Sequence, residues 1–287
     1  MSPPRSGGKH SGCGHGRQLV RYRPLRPRVP NPQVPQSLRM ERTDAFGRAL
    51  LDWVNGGTDP EIVERDDNFI EIGAGPEVYL ASFEDWPAPE RQAMGYVRGR
   101  VVDIGCGAGR VALHLQRRGF EVTGIDSSPF AVRASRARGA RRVLRLPIDR
   151  FTSAVGSFDT LVLLGNNFGI FGSPHRLRAH LTEWNHRTRE GARILAESTS
   201  PYHDVPFLDR GYRRWNRDRG RMAGQVRLRI RYRDWASPFF EWLFVSPIEM
   251  RRLIRGTGWH VRRLLASTKS GPYVAILEKN RPGANGA

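Results

Sequence analysis

Cysteine is nearly missing from this chain. Its 287 residues include two, Cys13 and Cys106. Their contexts are unrelated, which argues against a disulfide framework or a cysteine metal site, and no His/Cys/Asp cluster has ligand spacing. No apolar run approaches the ~18 residues needed to cross a bilayer. The N-terminus is charged but lacks the apolar stretch of a secretory signal. A reducing cytoplasm is therefore the default setting, and no membrane partner is expected. Lysine is scarce as well: Lys9, Lys269 and Lys279 stand among 47 basic residues. The formal charge of +19 is almost wholly arginine. Such a charge suits an anionic partner, but GC-rich coding produces the same skew, so a solvated basic surface is the simpler expectation.

Acidic residues are missing from residues 1–40, which are rich in Pro, Gly and Arg. Such a segment buries too little apolar surface to offset chain entropy, and it is expected to be a disordered basic tail. From Glu41 the pattern changes. Ala45, Phe46, Leu50, Leu51 and Val54 recur at helical spacing until Gly56-Gly57. A mixed segment and a short helix after Pro87 follow, and residues 41–98 are expected to form an N-terminal helical cap. Strand-helix alternation then begins. Strands are predicted at 101–104, 120–125, 142–146, 158–164 and 193–198, with helices at 110–118, 127–137 and 175–188 between them. This order specifies βαβ units and a doubly wound, mostly parallel α/β sheet. Residues 99–200 form the core of that domain. Residues 201–280 are expected to supply a substrate-side segment and closing strands of the same domain, and 281–287 a frayed end. Within 226–233, Val226, Leu228, Ile230 and Tyr232 alternate with four arginines, a period that demands a strand with one apolar and one basic face.

The chemistry concentrates at Val101-Val102-Asp103-Ile104-Gly105-Cys106-Gly107-Ala108-Gly109-Arg110. A strand ends there and turns sharply into a helix. Glycines permit the turn and let a ligand approach the backbone, and the helix N-terminus offers unpaired N–H groups. In open α/β sheets, ligands bind outside the carboxyl ends of the strands. A dinucleotide fingerprint would need glycine at residue 110, which is Arg. An acid beside the loop also suits a ligand with an ammonium group better than a pyrophosphate. A second carboxylate, Asp126, closes the next strand, where it can accept hydrogen bonds from two vicinal ribose hydroxyls.

At these residues the chain resembles the class I S-adenosylmethionine-dependent methyltransferases, whose first motif is D/E-x-G-x-G-x-G; the matching positions are Asp103, Gly105, Gly107 and Gly109. The resemblance implies a Rossmann-like sheet closed by an antiparallel strand hairpin, with S-adenosyl-L-methionine as cofactor. It implies that the glycine loop, Cys106 included, holds the methionine part, and that Asp126 with Ser127 holds the ribose. Leu146, after the third strand of the core, falls where the adenine ring would lie, and Asp149 follows late for the acid found there in many members. Gly165, Asn166 and Asn167, after the fourth strand, would sit beside the sulfonium. A Gly/Asn turn chosen for its backbone is the alternative reading of those three.

The acceptor is narrowed by what is missing. No N/D-P-P-Y/F motif for exocyclic amines of DNA follows the fourth strand, and no cysteine is placed for C5-cytosine chemistry. A small-molecule substrate accepting at O, N or C fits best. His203, after the fifth strand, is a candidate base; an ordinary loop histidine is the plainer reading. Rival functions are an RNA methyltransferase using the tail and the arginine strand, a non-catalytic cofactor-binding partner protein, and an NAD-dependent dehydrogenase, against which Asp103 and Arg110 count.

Overall fold

Backbone spans rich in β-branched residues and flanked by glycine build the centre of the molecule. The computed structural model describes residues 42–150, 154–203, 206–267 and 271–280, all within the compact unit Gln36–Ala287. The expected tail and frayed end, 1–40 and 281–287, lie outside the described residues. In chain order the elements are α1 (Ala45–Val54), β1 (Ile62–Arg65), β2 (Ile70–Ile72), α2 (Pro76–Tyr79), α3 (Ala88–Ala93), β3 (Val101–Ile104), α4 (Arg110–Arg117), β4 (Val122–Asp126), α5 (Pro129–Ala137), β5 (Val143–Arg145) and β6 (Phe158–Leu163). After them come α6 (Pro174–Arg187), β7 (Thr188–Thr199), α7 (Arg210–Arg217), β8 (Gln225–Tyr232), β9 (Trp235–Ala236), β10 (Phe240–Leu243), α8 (Pro247–Ile254), β11 (Trp259–Ala266) and β12 (Pro272–Lys279).

The main sheet runs β11-β12-β7-β6-β3-β4-β5. Strands β5, β4, β3, β6 and β7 are parallel. Strand β12 runs antiparallel between β7 and β11, the reversed hairpin that the resemblance implied. Alternate residues point to opposite faces, so each strand serves two cores. Val102, Ile104, Leu161, Leu163 and Ile194 pack on Leu181 and Trp184 of α6 and Met250 of α8. Val101, Val162 and Leu195 pack on Trp86, Met94, Val111 and Leu115. The order reverses between β3 and β6, which opens a crevice at their carboxyl ends.

A second sheet corrects the expected helical cap. Residues 62–72 form a hairpin, and the second sheet runs β10-β8-β1-β2 with β9 beside β8. The hairpin escapes a periodicity reading because its strands are short and mixed, Ile-Val-Glu-Arg and Ile-Glu-Ile; pairing with β8, 160 residues downstream, is what holds it. Strand β8 has the expected apolar side, with Val226, Leu228 and Tyr232 buried. Its arginines are not a free basic row. Arg229 and Arg231 both pair with Glu64 of β1, at 2.7 and 3.3 Å, and Arg229 lies directly across from it in the ladder. Arg233 pairs with Asp52 and Asp59. This sheet reaches the crevice side of the main sheet: a Cβ built on Gly169, after β6, would lie 2.4 Å from the Trp242 indole of β10.

Candidate functional site

The turn from β3 into α4 takes a shape that glycine alone adopts readily. Gly105, Gly107 and Gly109 have φ of +67°, +54° and +79°. At Gly105 the fit is also steric: an added Cβ would lie 2.7 Å from Asn167 Nδ2. That amide donates to the Ile104 and Gly105 carbonyls at 2.9 and 3.1 Å, so the loop after β6 clamps the glycine loop. At Gly109 an added Cβ would meet Ser135 Oγ of α5 at 2.3 Å. Helix α4 begins at Gly109 with no side chain capping its first amides and no acid in its first turn. One acid reaches it from the sheet: Asp103 Oδ2 accepts the Ala112 N–H at 3.2 Å.

Asp126 ends β4 beside this loop. One carboxylate oxygen accepts the Gly107 N–H at 3.0 Å and the other the Ser128 N–H at 2.9 Å. The Ser127 N–H also approaches the carboxylate, whose roughly four lone-pair sites still leave one for a ligand hydroxyl. Ser128, rather than Ser127, caps α5 by accepting the Ala131 N–H. Its hydroxyl also donates to Asp44 at 2.6 Å. Asp44 caps α1 and so draws that helix over the loop, where Leu50 lies near Gly107. Ser127 is exposed next to Asp126.

The other expected residues take varied places. The Cys106 side chain faces away from the loop, among Leu113, Val132, Ala140 and Val143, and its N–H is bound to the Ile125 carbonyl at 3.0 Å. Burial, with Asp126 and Asp103 nearby, pushes its thiol well above the usual range. Leu146 joins the carboxyl end of β4 through its N–H to the Asp126 carbonyl, and it packs on the core. Asp149 points elsewhere, to Arg176 and His180 at 3.3 and 2.9 Å. Asn166 adopts the left-handed conformation with φ +62°, and its Oδ1 accepts the Thr199 hydroxyl at 2.9 Å. Gly165 is bound through its N–H to Glu197 Oε2 at 2.7 Å, yet a Cβ built on it meets no atom within 4 Å. Gly165 itself is exposed. His203 lies apart: it lines a cleft with Ser200, Pro247, Ala266 and Tyr273, on the β12 side of β7, whereas the glycine loop is beyond β6 on the other side. His114 is stacked on Phe83 at 3.9 Å, and Tyr79 on Trp53 at 5.5 Å; both are packing residues.

Sequence reasoning missed a buried charged group at the same carboxyl ends. Glu197 of β7 and Glu90 of α3 are 3% and 4% exposed. Arg110, the first residue of α4, pairs with Glu90 at 2.7 Å and lies over the Trp86 ring at 4.5 Å. Glu197 had one signal in the sequence: it is the sole charge in the run Ile194-Leu195-Ala196-Glu197-Ser198-Thr199, the inner half of its strand. Burial lifts three carboxyls here. Asp103 stands at about 7, against the opposing pull of Arg110 and the Ala112 N–H. Asp126 stands at about 6 despite its backbone donors. Glu197 is raised to about 8 by burial and by the neighbouring Glu90. A crevice whose acids resist ionisation favours an occupant that brings positive charge.

Comparison with known proteins agrees with this geometry. A family model described as a methyltransferase domain matches residues 101–191. The 2-heptyl-1-hydroxyquinolin-4(1H)-one methyltransferase of Mycobacteroides abscessus is 34% identical over 103 residues, which are 31% of this chain and 45% of that protein. The ribosomal RNA small subunit methyltransferase C of Alcanivorax borkumensis is 42% identical over 67 residues, 22% of this chain and 21% of that one. The chain thus spans less than half the length of these curated relatives. Among solved structures, a SAM-dependent methyltransferase from Bacteroides fragilis, in complex with S-adenosyl-L-homocysteine, superposes with a TM-score of 0.70 at 23% identity, covering 84% of this chain and 97% of that one. That likeness shows the fold.

Proposed function

We propose that this chain, whose residues 101–191 match a methyltransferase-domain family model, is an enzyme of the class I S-adenosylmethionine-dependent kind that moves a methyl group from S-adenosyl-L-methionine to a small-molecule O, N or C acceptor. The observation that carries the proposal is the pairing of the positive-φ glycine loop with Asp126, whose two oxygens are fixed by backbone N–H groups and still have a lone pair to offer. The residues fit the cofactor on three counts. The acids Asp103, Asp126 and Glu197 are held above their ordinary values and would be relieved by a sulfonium and an ammonium. The room beside Gly165 is unfilled. The start of α4 lacks a side-chain cap and can receive a carboxylate.

In this reading Asp126 holds the ribose diol, the Gly105–Gly109 backbone with Asp103 holds the methionine end, and Leu146 lies against the adenine. When bound, the cofactor supplies a methyl carbon already activated by its sulfonium. The protein then contributes proximity and alignment. Asn167 keeps the loop after β6 fixed to the glycine loop, and the β8–β10 side of the second sheet walls the crevice. That wall supports a small acceptor. Three of the four arginines behind the RNA reading are drawn into ion pairs with Glu64, Asp52 and Asp59, and Asn166 and Asn167 serve the turn rather than the ligand. We place the reaction in the cytoplasm, the default for a chain with so little cysteine. Calorimetry with S-adenosylmethionine, S-adenosylhomocysteine and NAD tests the proposal. Binding of the first two and not of NAD, with loss in Asp126→Ala, is expected. Binding of NAD alone, or of none, overturns it.

A further inference from the structure

Beyond the groups assigned to the cofactor, the crevice holds Glu90, Glu197 and Arg110. They are brought together from α3, β7 and α4. Glu90 is the neighbouring acid whose charge and close side-chain approach, after burial, raise the Glu197 carboxyl, and two carboxyls in such contact are compatible when one of them carries a proton. Arg110 Nη1 lies 2.7 Å from Glu90 Oε2, and neither atom has a hydrogen-bond partner elsewhere. The remaining polar neighbour of Glu197 is the Gly165 N–H, donated at 2.7 Å. From β3, Asp103 faces Arg110 and Asp126. Leaving Asp103 aside, Arg110, Glu90 and Glu197 are together neutral as one guanidinium, one carboxylate and one carboxylic acid. Through the Gly165 N–H the group reaches the loop after β6, which the family resemblance sets beside the sulfonium.

We propose that the Glu90–Glu197 pair is the proton exchanger of this site, holding one proton before the cofactor binds, releasing it as the sulfonium charge enters, and taking the acceptor's proton once that charge is spent. The inference rests on the proposed function. The exchange balances without a further reactant. An acceptor lone pair forms the new bond to the methyl carbon, the carbon–sulfur bond breaks with its electrons going to sulfur, and the acceptor's proton goes to Glu197. The positive charge that leaves sulfur is thereby retained in the site as a proton, next to the same carboxylates. Burial and the Glu90 charge hold the Glu197 carboxyl well above the ordinary carboxylate range, so the pair retains its proton toward neutral pH.

Titration calorimetry of the full chain at pH 7, in buffers of different ionisation enthalpy, counts the protons released on binding. S-adenosylmethionine and S-adenosylhomocysteine share every titratable contact except the sulfonium, so their difference isolates its effect. The expected result is greater proton release with S-adenosylmethionine, by at most the one proton that the pair holds. Glu197→Gln keeps an acceptor for the Gly165 N–H and is expected to abolish the difference. Glu90→Gln is expected to do the same, because Arg110 then faces Glu197 alone and ionises it beforehand. Equal proton counts for the two compounds in the wild type, or a difference that survives both substitutions, overturn the inference while leaving the proposed function standing. Failure of either compound to bind overturns both.

Discussion

Replacing Asp126 by Asn should separate the ribose anchor from the rest of the site. The carboxylate meets two backbone donors, Gly107 N–H on one oxygen at 3.0 Å and Ser128 N–H on the other at 2.9 Å. An amide has one oxygen, so one of these donors loses its acceptor, and the ligand loses a charged acceptor at the same point. Hydrogen bonds to charged groups contribute about 1.5–3 kcal/mol. The expected loss in S-adenosylmethionine affinity at pH 7 is therefore about 10- to 150-fold. The pH dependence is a second signature. Burial holds the Asp126 carboxyl at about 6, and hydroxyl donors favour its ionised form. About 9% is ionised at pH 5 and about 91% at pH 7, so wild-type affinity should weaken about tenfold on going down from pH 7 to pH 5 through this group alone. The Asn variant should lack that slope. Tryptophan fluorescence or calorimetry reads both. Affinity in Asp126→Asn within threefold of wild type, or a wild-type affinity flat from pH 5 to 7, would refute the ribose assignment.

Three other perturbations test the framework. Gly105→Ala combines a left-handed φ of +67° with a Cβ 2.7 Å from the Asn167 amide; backbone strain of about 1–2 kcal/mol and two weakened hydrogen bonds of about 1 kcal/mol each predict a stability loss of about 2–4 kcal/mol by urea unfolding, and a loss under 1 kcal/mol would contradict the clamp. Burial raises the Glu64 carboxyl, but Arg229 and Arg231 outweigh it and bring it below its ordinary 4.5, so this ion group stabilises the fold above that value and ceases to do so as pH falls through the lowered one. Glu64→Gln should accordingly cost about 1–2 kcal/mol at pH 7, and that cost should shrink as the pH falls through the lowered value, as read by thermal melts across the acid range. In a Cys13→Ser background, Cys106 should react with a thiol reagent at least about 100-fold more slowly in buffer than in denaturant; similar rates would mean that the glycine loop opens freely.

How far the fold was legible depended on where each element gets its stability. Strand β3 and helix α4 matched their expected residues because local signals agree there: an apolar run, glycines, then helical spacing. Strand β7 proved longer than expected, Thr188–Thr199, because Thr188 to Arg193 are mixed in character and are held by the neighbouring strand β6. Helix α7 was read only as an arginine-rich stretch. Its exposed face is nearly all arginine, and the residues that bury it, Tyr212 and Asn216, give too weak a period. The β1–β2 hairpin was lost for a related reason. Its apolar residues Ile70 and Ile72 remain exposed at the edge, so burial never imposed an alternation that could be read.

The site divides along the same line, and the division bears on its chemistry. Asp103 and Asp126 could be placed beside the glycine loop from the sequence because each lies at the carboxyl end of its own strand, whatever else the chain does. Glu197, Glu90 and Arg110 could not, since their meaning lies in a meeting of three distant segments. Yet Asp103, Asp126 and Glu197 share one physical condition: they lie near the carboxyl ends of β3, β4 and β7, strands of a sheet whose interior would be more stable with apolar residues in their place. Each has its carboxyl raised rather than lowered. The stability linked to them is present at low pH and lost as pH rises through about 6 to 8, the reverse of what Glu64 contributes. Acids chosen for folding alone would be paired until their values fell, as happens at Glu64 with two arginines. Acids left raised around an unfilled crevice fit a fold that leaves part of its electrostatic compensation to a bound cation.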